Sequence, residues 1–300
     1  MIAGGPLRLR APAKVNLGLR VLGALEDGTH SIATLYQTVD LFDDVELALG
    51  GEGVRVAVHG PRRDGVPESV DNLAARAAES LLREAGVEHG VAIRLTKRIP
   101  AGAGLGGGSS NAAAVLHGLS LLLSGGVSRD TLAAIAGELG ADVPFFLRGG
   151  TAFGYHRGSH LLALPPLTAH PGLIVVPDVQ VSTFWAYHAW DLSRQRRGPQ
   201  PVAAAFPFDP GPEDLARCRN DFEDVVFAKF PEVQSVHRTL LEGRPIVARL
   251  SGTGAACFSL YVGAPQRDAE AERIADVCRN RPGYGIFRVR LFSGGVEVAD

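Results

Sequence analysis

The chain has 300 residues, a formal net charge of −2 and three cysteines. A charge this close to neutral argues against a broad nucleic-acid face, and Cys218, Cys257 and Cys278 are too few and too scattered for a disulfide framework or a zinc site. Met1–Arg10 lacks a signal-peptide apolar core, and the apolar run Leu119–Leu123 cannot span a bilayer, so a cytoplasmic protein with no membrane partner is expected.

A chain of this length exceeds the usual single core, and two lobes are expected. From Lys14 to Val21 the residues alternate, with Val15, Leu17, Leu19 and Val21 on one side and Lys14, Asn16, Gly18 and Arg20 on the other. That period of two predicts a half-buried strand with Lys14 and Asn16 sharing a face. Glu26-Asp27-Gly28-Thr29-His30 reads as a turn before an extended run over 32–49, and 55–59 reads as a further strand. A helix is predicted over 72–85, with Asp71 as N-cap and Gly86 as its stop.

A strand at 91–96 then leads into Pro100-Ala101-Gly102-Ala103-Gly104-Leu105-Gly106-Gly107-Gly108-Ser109-Ser110-Asn111 and a helix to about Leu123. Five glycines in seven residues let a ligand approach the backbone and let successive N–H groups converge. A glycine loop entering a helix N-terminus is a phosphate-holding device. A third predicted helix, 131–139, stops at Gly140.

The stretch 194–212 is rich in Pro, Arg and Gln and reads as a surface loop or linker. Beyond it, 215–241 is predicted mostly helical with a break at Pro231. Short strands at 246–250 and 257–262 flank Ser251-Gly252-Thr253-Gly254, and a helix near 265–278 precedes a last strand near 286–292. Strands and hairpins mixed with helices predict an α+β fold with largely antiparallel sheets.

Gly102, Gly104 and Gly107 satisfy the G-x-G-x-x-G dinucleotide pattern, with Asp130 downstream. The preceding strand alternates, however, and Lys97-Arg98-Ile99-Pro100 intervenes, whereas a dinucleotide fold places a fully buried parallel strand just before the first glycine. No Gly-Lys-Ser/Thr closes the loop in the Walker manner, and the protein-kinase motifs His-Arg-Asp and Asp-Phe-Gly are missing.

Pro12-Ala13-Lys14-Val15-Asn16, the glycine–serine loop and Ser251-Gly252-Thr253-Gly254 together resemble the three motifs of the small-molecule kinases related to galactokinase, homoserine kinase and mevalonate kinase. Asp27-Gly28-Thr29-His30 and Leu139-Gly140-Ala141-Asp142-Val143-Pro144-Phe145-Phe146 resemble the branch whose acceptor is a cytidine diphosphate ester of a methylated sugar alcohol, made in the non-mevalonate route to isoprenoid precursors. The homoserine or mevalonate type and a non-catalytic nucleotide-binding relative are the alternatives.

The resemblance implies two α+β lobes with the active site in the cleft between them: an ATP-binding lobe at 1–160 and a substrate-side lobe at 161–300. It implies ATP and Mg²⁺, the metal ligands being unassigned, and a monomer or homodimer. Residues 100–110 would cradle the ATP phosphates, with Asn72 and Lys97 on the adenosine side. On local sequence Asp142 is as good an N-cap as a general base; the resemblance places the catalytic carboxylate there, with Lys14 as its electrostatic partner and Asn16 beside it on the substrate side. His30 would bond the cytosine, Tyr187 would stack on it and Thr183 would touch the substrate. Trp185 is expected in the core. Thr29 stands where relatives carry an aromatic, and Tyr155-His156-Arg157-Gly158-Ser159 lacks their glycine and acidic residue, which reads as surface drift.

Overall fold

The computed structural model describes residues 5–123, 127–167, 169–197, 212–279, 281 and 283–299. In chain order its elements are β1 (Leu7–Ala24), β2 (His30–Leu49), β3 (Val54–His59), α1 (Leu73–Glu84), β4 (Val91–Thr96), α2 (Gly107–Leu122), α3 (Arg129–Leu139) and α4 (Val143–Arg148). There follow β5 (Thr151–Tyr155), β6 (His160–Ala163), β7 (Pro171–Val176), α5 (Thr183–Arg197), α6 (Pro212–Arg217), α7 (Glu223–Lys229) and α8 (Pro231–Glu242). The chain closes with β8 (Val247–Leu250), β9 (Cys257–Leu260), α9 (Ala264–Cys278), β10 (Gly285–Arg290) and β11 (Glu297–Val298).

Two sheets result. The first runs β11-β1-β2-β4-β3, with β5 paired to β2 and β6 to β5; the second runs β10-β7-β9-β8. The β3–β4 pair is parallel and the other ladders are antiparallel, as the alternating strands predict. Helices α1 to α4 cover the first sheet through a core that includes Leu9, Leu47, Leu81, Ile93, Leu116 and Phe145. Helices α5, α7, α8 and α9 contribute to a separate core with Leu173, Phe222, Leu240 and Tyr261.

Strand β1 joins these bodies. Val15 and Leu17 pack with Ile174, Phe258 and Leu260 of the second sheet, and Leu19 and Val21 enter the second core. Residues 13–19 are consequently all buried, which corrects the half-buried strand expected from alternation. The glycine loop closes on β1: its Leu105 carbonyl accepts the Lys14 backbone N–H at 3.0 Å, and a Cβ on Gly106 would lie 3.1 Å from the Lys14 side chain. A period of two reveals two faces, but not whether both are covered.

Other local expectations change for definable reasons. Asn72, not Asp71, caps α1, its side chain accepting the Ala74 N–H at 2.9 Å. Residues 194–197 extend α5 rather than opening a loop, and the rest of that linker lies outside the described residues. Strands β5 and β6 and the pairing of β11 with β1 carried too little local pattern to be anticipated, whereas β7, an apolar run ending in Leu173-Ile174-Val175-Val176, was readable and passed over.

Candidate active site

The glycine loop is built by close approach. Gly104 and Gly106 have φ of +78° and +72°, a region that L side chains enter with strain. A Cβ on Gly104 would lie 2.1 Å from the Ser251 carbonyl oxygen, and one on Gly106 would lie 2.6 Å from the Phe146 ring. The Ser251 hydroxyl donates to the Gly104 carbonyl at 2.9 Å, and the Ala256 N–H donates to the Ala103 carbonyl at 3.1 Å. The Ser-Gly-Thr-Gly turn thus clamps the loop from the second sheet. Asn220 holds that turn in place, donating through Nδ2 to the carbonyls of Leu250 and Gly252.

Helix α2 starts from Gly106 without a side-chain cap, so its first-turn N–H groups remain available to an anion. The Ser110 hydroxyl in that turn is buried and has no hydrogen-bond partner among the described residues. Beneath the loop, Lys97 is 2% exposed. It forms an ion pair with Asp43 and donates to Asn111 Oδ1 at 2.7 Å. The Asp43 carboxylate also accepts the backbone N–H groups of Arg98 and Ile99 and the Asn111 amide. One buried carboxylate therefore ties the end of β4 to the start of α2.

Beside the loop, Lys14 is 4% exposed and its Nζ lies 3.5 Å from Asp142 Oδ2. Nζ also donates to Asn16 Oδ1 at 2.6 Å, and Asn16 donates onward to Thr34 Oγ1 at 2.8 Å. The register of β1 against β2 shifts between Asn16 and Gly18, the kind of irregularity that re-aims side chains next to a site. Asp142 sits at the start of α4 but makes no side-chain cap. Its Oδ1 accepts the Tyr36 hydroxyl at 2.9 Å instead. The N-cap alternative is thereby removed, and the carboxylate points into a cleft.

Two cavities meet at the loop. One, of about 710 Å³, is lined by Lys14, Asn16, His30, Asp142, Thr183 and Tyr187. The other, of about 340 Å³, is lined by Asn72, Lys97 and the loop from Pro100 to Gly104 and from Gly106 to Ser109. Gly104, Gly106 and Ser109 border both. Such an arrangement leaves room for two ligands end to end across the glycine loop, with Lys14 and Asp142 lining the larger cavity.

Sequence relationships agree with this geometry. Residues 72–150 match the GHMP kinases N terminal domain and residues 211–284 the GHMP kinases C terminal domain. A protein from Solibacter usitatus named 4-diphosphocytidyl-2-C-methyl-D-erythritol kinase is 41% identical, across 84% of this chain and 80% of its own length. A crystal structure of 4-(cytidine 5'-diphospho)-2C-methyl-D-erythritol kinase superposes with a TM-score of 0.74 at 36% identity, covering 96% of this chain and all of that one. The chain belongs to the 4-diphosphocytidyl-2-C-methyl-D-erythritol kinase family. Homoserine kinase from Cytophaga hutchinsonii shares the fold, with a TM-score of 0.76 at 20% identity over essentially the full length of both chains.

The kinase is thus an ATP-dependent small-molecule phosphotransferase, and among its described residues no helix is long and apolar enough to cross a membrane. The residues singled out from sequence line the two cavities, except Leu105 and Ser110, which are buried beneath them. In the larger cavity the start of β2 meets helix α5: His30 and Tyr187 stack with ring centroids 4.6 Å apart, and His30 Nε2 lies 2.8 Å from Asp191 Oδ1. The Thr183 hydroxyl is 3.2 Å from that of Thr253. Around the smaller cavity the polar groups of Asn72 and Lys97 are already engaged: Asn72 caps α1 and donates to the Pro67 carbonyl, while Lys97 holds Asp43. Trp185, expected in the core, is half-buried at the margin of the second core, packed edge-on against Phe230.

Burial and the neighbouring Asp142 push Tyr36 well above the ordinary tyrosine value, and the same causes push Tyr187 up to about 12. Both hydroxyls therefore remain neutral donors. Sequence reasoning passed over Tyr36, Asp43, Asn111, Asp191 and Asn220. Tyr36 lies in an alternating strand, where a large aromatic looks like core, and nothing local distinguishes it.

Proposed function

We propose that this kinase transfers the γ-phosphoryl group of ATP to the 2-hydroxyl of 4-diphosphocytidyl-2-C-methyl-D-erythritol, with ATP in the smaller cavity and the acceptor in the larger. The observation carrying this reading is the Lys14–Asp142–Tyr36 constellation, which lines the larger cavity beside the glycines that it shares with the smaller one. The division of labour between an ATP-binding lobe, 1–160, and a substrate-side lobe, 161–300, belongs to the same reading.

ATP supplies the phosphoryl group, and Mg²⁺ neutralises phosphate charge when bound. The unpartnered, buried Ser110 hydroxyl and the uncapped start of α2 fit a phosphate–metal group, with Ser109 at the border of both cavities. The N–H groups of the loop hold the phosphate oxygens. Asp142 accepts the proton from the acceptor hydroxyl as its oxygen bonds to phosphorus and the bridging oxygen leaves with ADP. Lys14 offsets charge on the transferring group and keeps the carboxylate oriented. Tyr36, donating to Oδ1, fixes the plane of that carboxylate. Asn16 sets the Lys14 ammonium, and Thr183 meets the acceptor. His30 and Tyr187, backed by Asp191, form the wall against which the cytosine rests.

A direct assay with the cytidylyl alcohol, homoserine and mevalonate tests the reading. Phosphorylation of the first alone is expected; transfer only to homoserine or mevalonate would reject it.

A further inference from the structure

An acceptor that carries a diphosphate needs a cation between its base and its reacting hydroxyl. Among the described lining residues of the larger cavity, the permanently charged cations are Lys14 and Arg157. Lys14 is committed to Asp142 and Asn16. Arg157 borders the cavity together with Gly28, Thr29 and His30, and its side chain is about half exposed, at 49%. The segment 155–159, which departs from relatives in sequence, thus brings Arg157 to the cavity wall.

The turn that carries Arg157 is tightly placed. His156 adopts φ of +62°, unusual for a residue with a side chain. Its carbonyl accepts the Ile32 N–H at 2.6 Å, and a Cβ on Gly158 would meet the Tyr36 hydroxyl at 2.6 Å. The turn thus leans on the same tyrosine that holds Asp142. Asp27 fastens the opposite side: its Oδ1 accepts the N–H and hydroxyl of Thr29, and its Oδ2 pairs with Arg157 Nη2. Among the described residues Asp27 is the partner of this guanidinium, and a guanidinium has five N–H donors. Asp27 therefore orients a fork whose remaining donors are unspent at the cavity wall.

We infer that Arg157 binds the diphosphate of the acceptor, with Asp27 as its positioning residue. The inference rests on the acceptor proposed above and adds the group that selects a nucleoside diphosphate ester over an uncharged alcohol. Arginine suits the task because its planar fork meets two phosphate oxygens at once. Such binding is made before and during transfer alike, so it acts on KM more than on kcat.

The test measures CDP and cytidine binding to the full-length enzyme, with the nucleotide site filled by ADP, and steady-state kinetics with the cytidylyl acceptor. For Arg157→Ala, CDP affinity is expected to fall about tenfold, cytidine affinity to hold, and KM to rise by a similar factor. Arg157→Lys should recover part of the loss, and raised salt should shrink the gap between wild type and Arg157→Ala. Equal weakening of CDP and cytidine, or no change in either, would overturn the assignment. A wild-type enzyme that turns over the acceptor while Arg157→Ala matches it sinks this inference alone. A wild type with no turnover of the acceptor rejects the proposed function first, and this inference with it.

Discussion

The Tyr36 hydroxyl donates to Asp142 Oδ1 at 2.9 Å, while Oδ2 of the same carboxylate faces Lys14 Nζ at 3.5 Å. The two oxygens thus have different partners, one neutral and one cationic. Tyr36 is itself fixed by stacking on Phe145, with ring centroids 4.8 Å apart. The carboxylate that would take the acceptor's proton is held on both sides by groups from the long β1–β2 hairpin.

Replacing Asp142 by Asn keeps the shape but removes the proton acceptor. Turnover should fall by about 10²–10⁴-fold, the usual worth of a positioned base, with ADP affinity unchanged. Near-normal kcat in a phosphoryl-transfer assay would remove the base assignment.

Tyr36→Phe deletes one charge-assisted hydrogen bond and leaves the stacked ring. A drop of roughly tenfold in kcat is expected. Because both tyrosines titrate high, Tyr187 at about 12 and Tyr36 well above its ordinary value, neither should produce an alkaline limb below about pH 10. The pH–rate profiles of wild type and Tyr36→Phe should therefore share the same alkaline side.

Alanine in the loop should discriminate positions. Gly104→Ala and Gly106→Ala force a Cβ against the Ser251 carbonyl and the Phe146 ring at left-handed φ, and a loss of about 1–3 kcal/mol is expected. Gly108 lies inside α2, and a Cβ there would meet nothing within 4 Å. Gly108→Ala should leave the melting temperature unchanged or raise it. Equal melting temperatures for all three variants would contradict the clamp.

The buried Asp43–Lys97 pair should be strongly coupled. Asp43→Ala strands the Lys97 ammonium and frees two backbone N–H groups of the loop entry, a cost of about 3–5 kcal/mol. Adding Lys97→Met should recover part of that loss in denaturant unfolding. Simple additivity of the two changes would show that the pair is not a unit.

Stability should also depend on pH through two histidines. Burial lowers the pKa of His117 and His237 from 6.5, so the unfolded chain binds more protons than the folded one as pH falls through about 6.5. The melting temperature should drop on that side and be fully retained above it. His237 Nε2 lies 3.1 Å from the Ala248 carbonyl oxygen, and His237→Gln should narrow the difference between pH 5 and pH 8. An unchanged difference would exclude His237 as a contributor.

Local pattern was enough for the elements with strong periodicity or clear punctuation. Helix α3 ends at Gly140, and Pro231 opens α8, because these residues act on their own turn. The same locality misled at Asp71, where the neighbouring Asn72 makes the cap. It also missed α5, whose aromatic-rich start looks like a run of contacts rather than a helix.

By itself, the sequence determined that a phosphate-holding loop enters a helix, that Lys14 and Asn16 share a strand face, and which kinases the chain resembles. All three are properties of neighbours along the chain or of whole motifs. The tertiary structure alone decided what holds Asp142, what clamps the loop and where Arg157 lies. Tyr36 and Asp142 are 106 residues apart, and Ser251 and Gly104 are 147 apart. A hydrogen bond between residues so distant leaves no periodic trace, because its geometry exists only once both sheets have packed around β1.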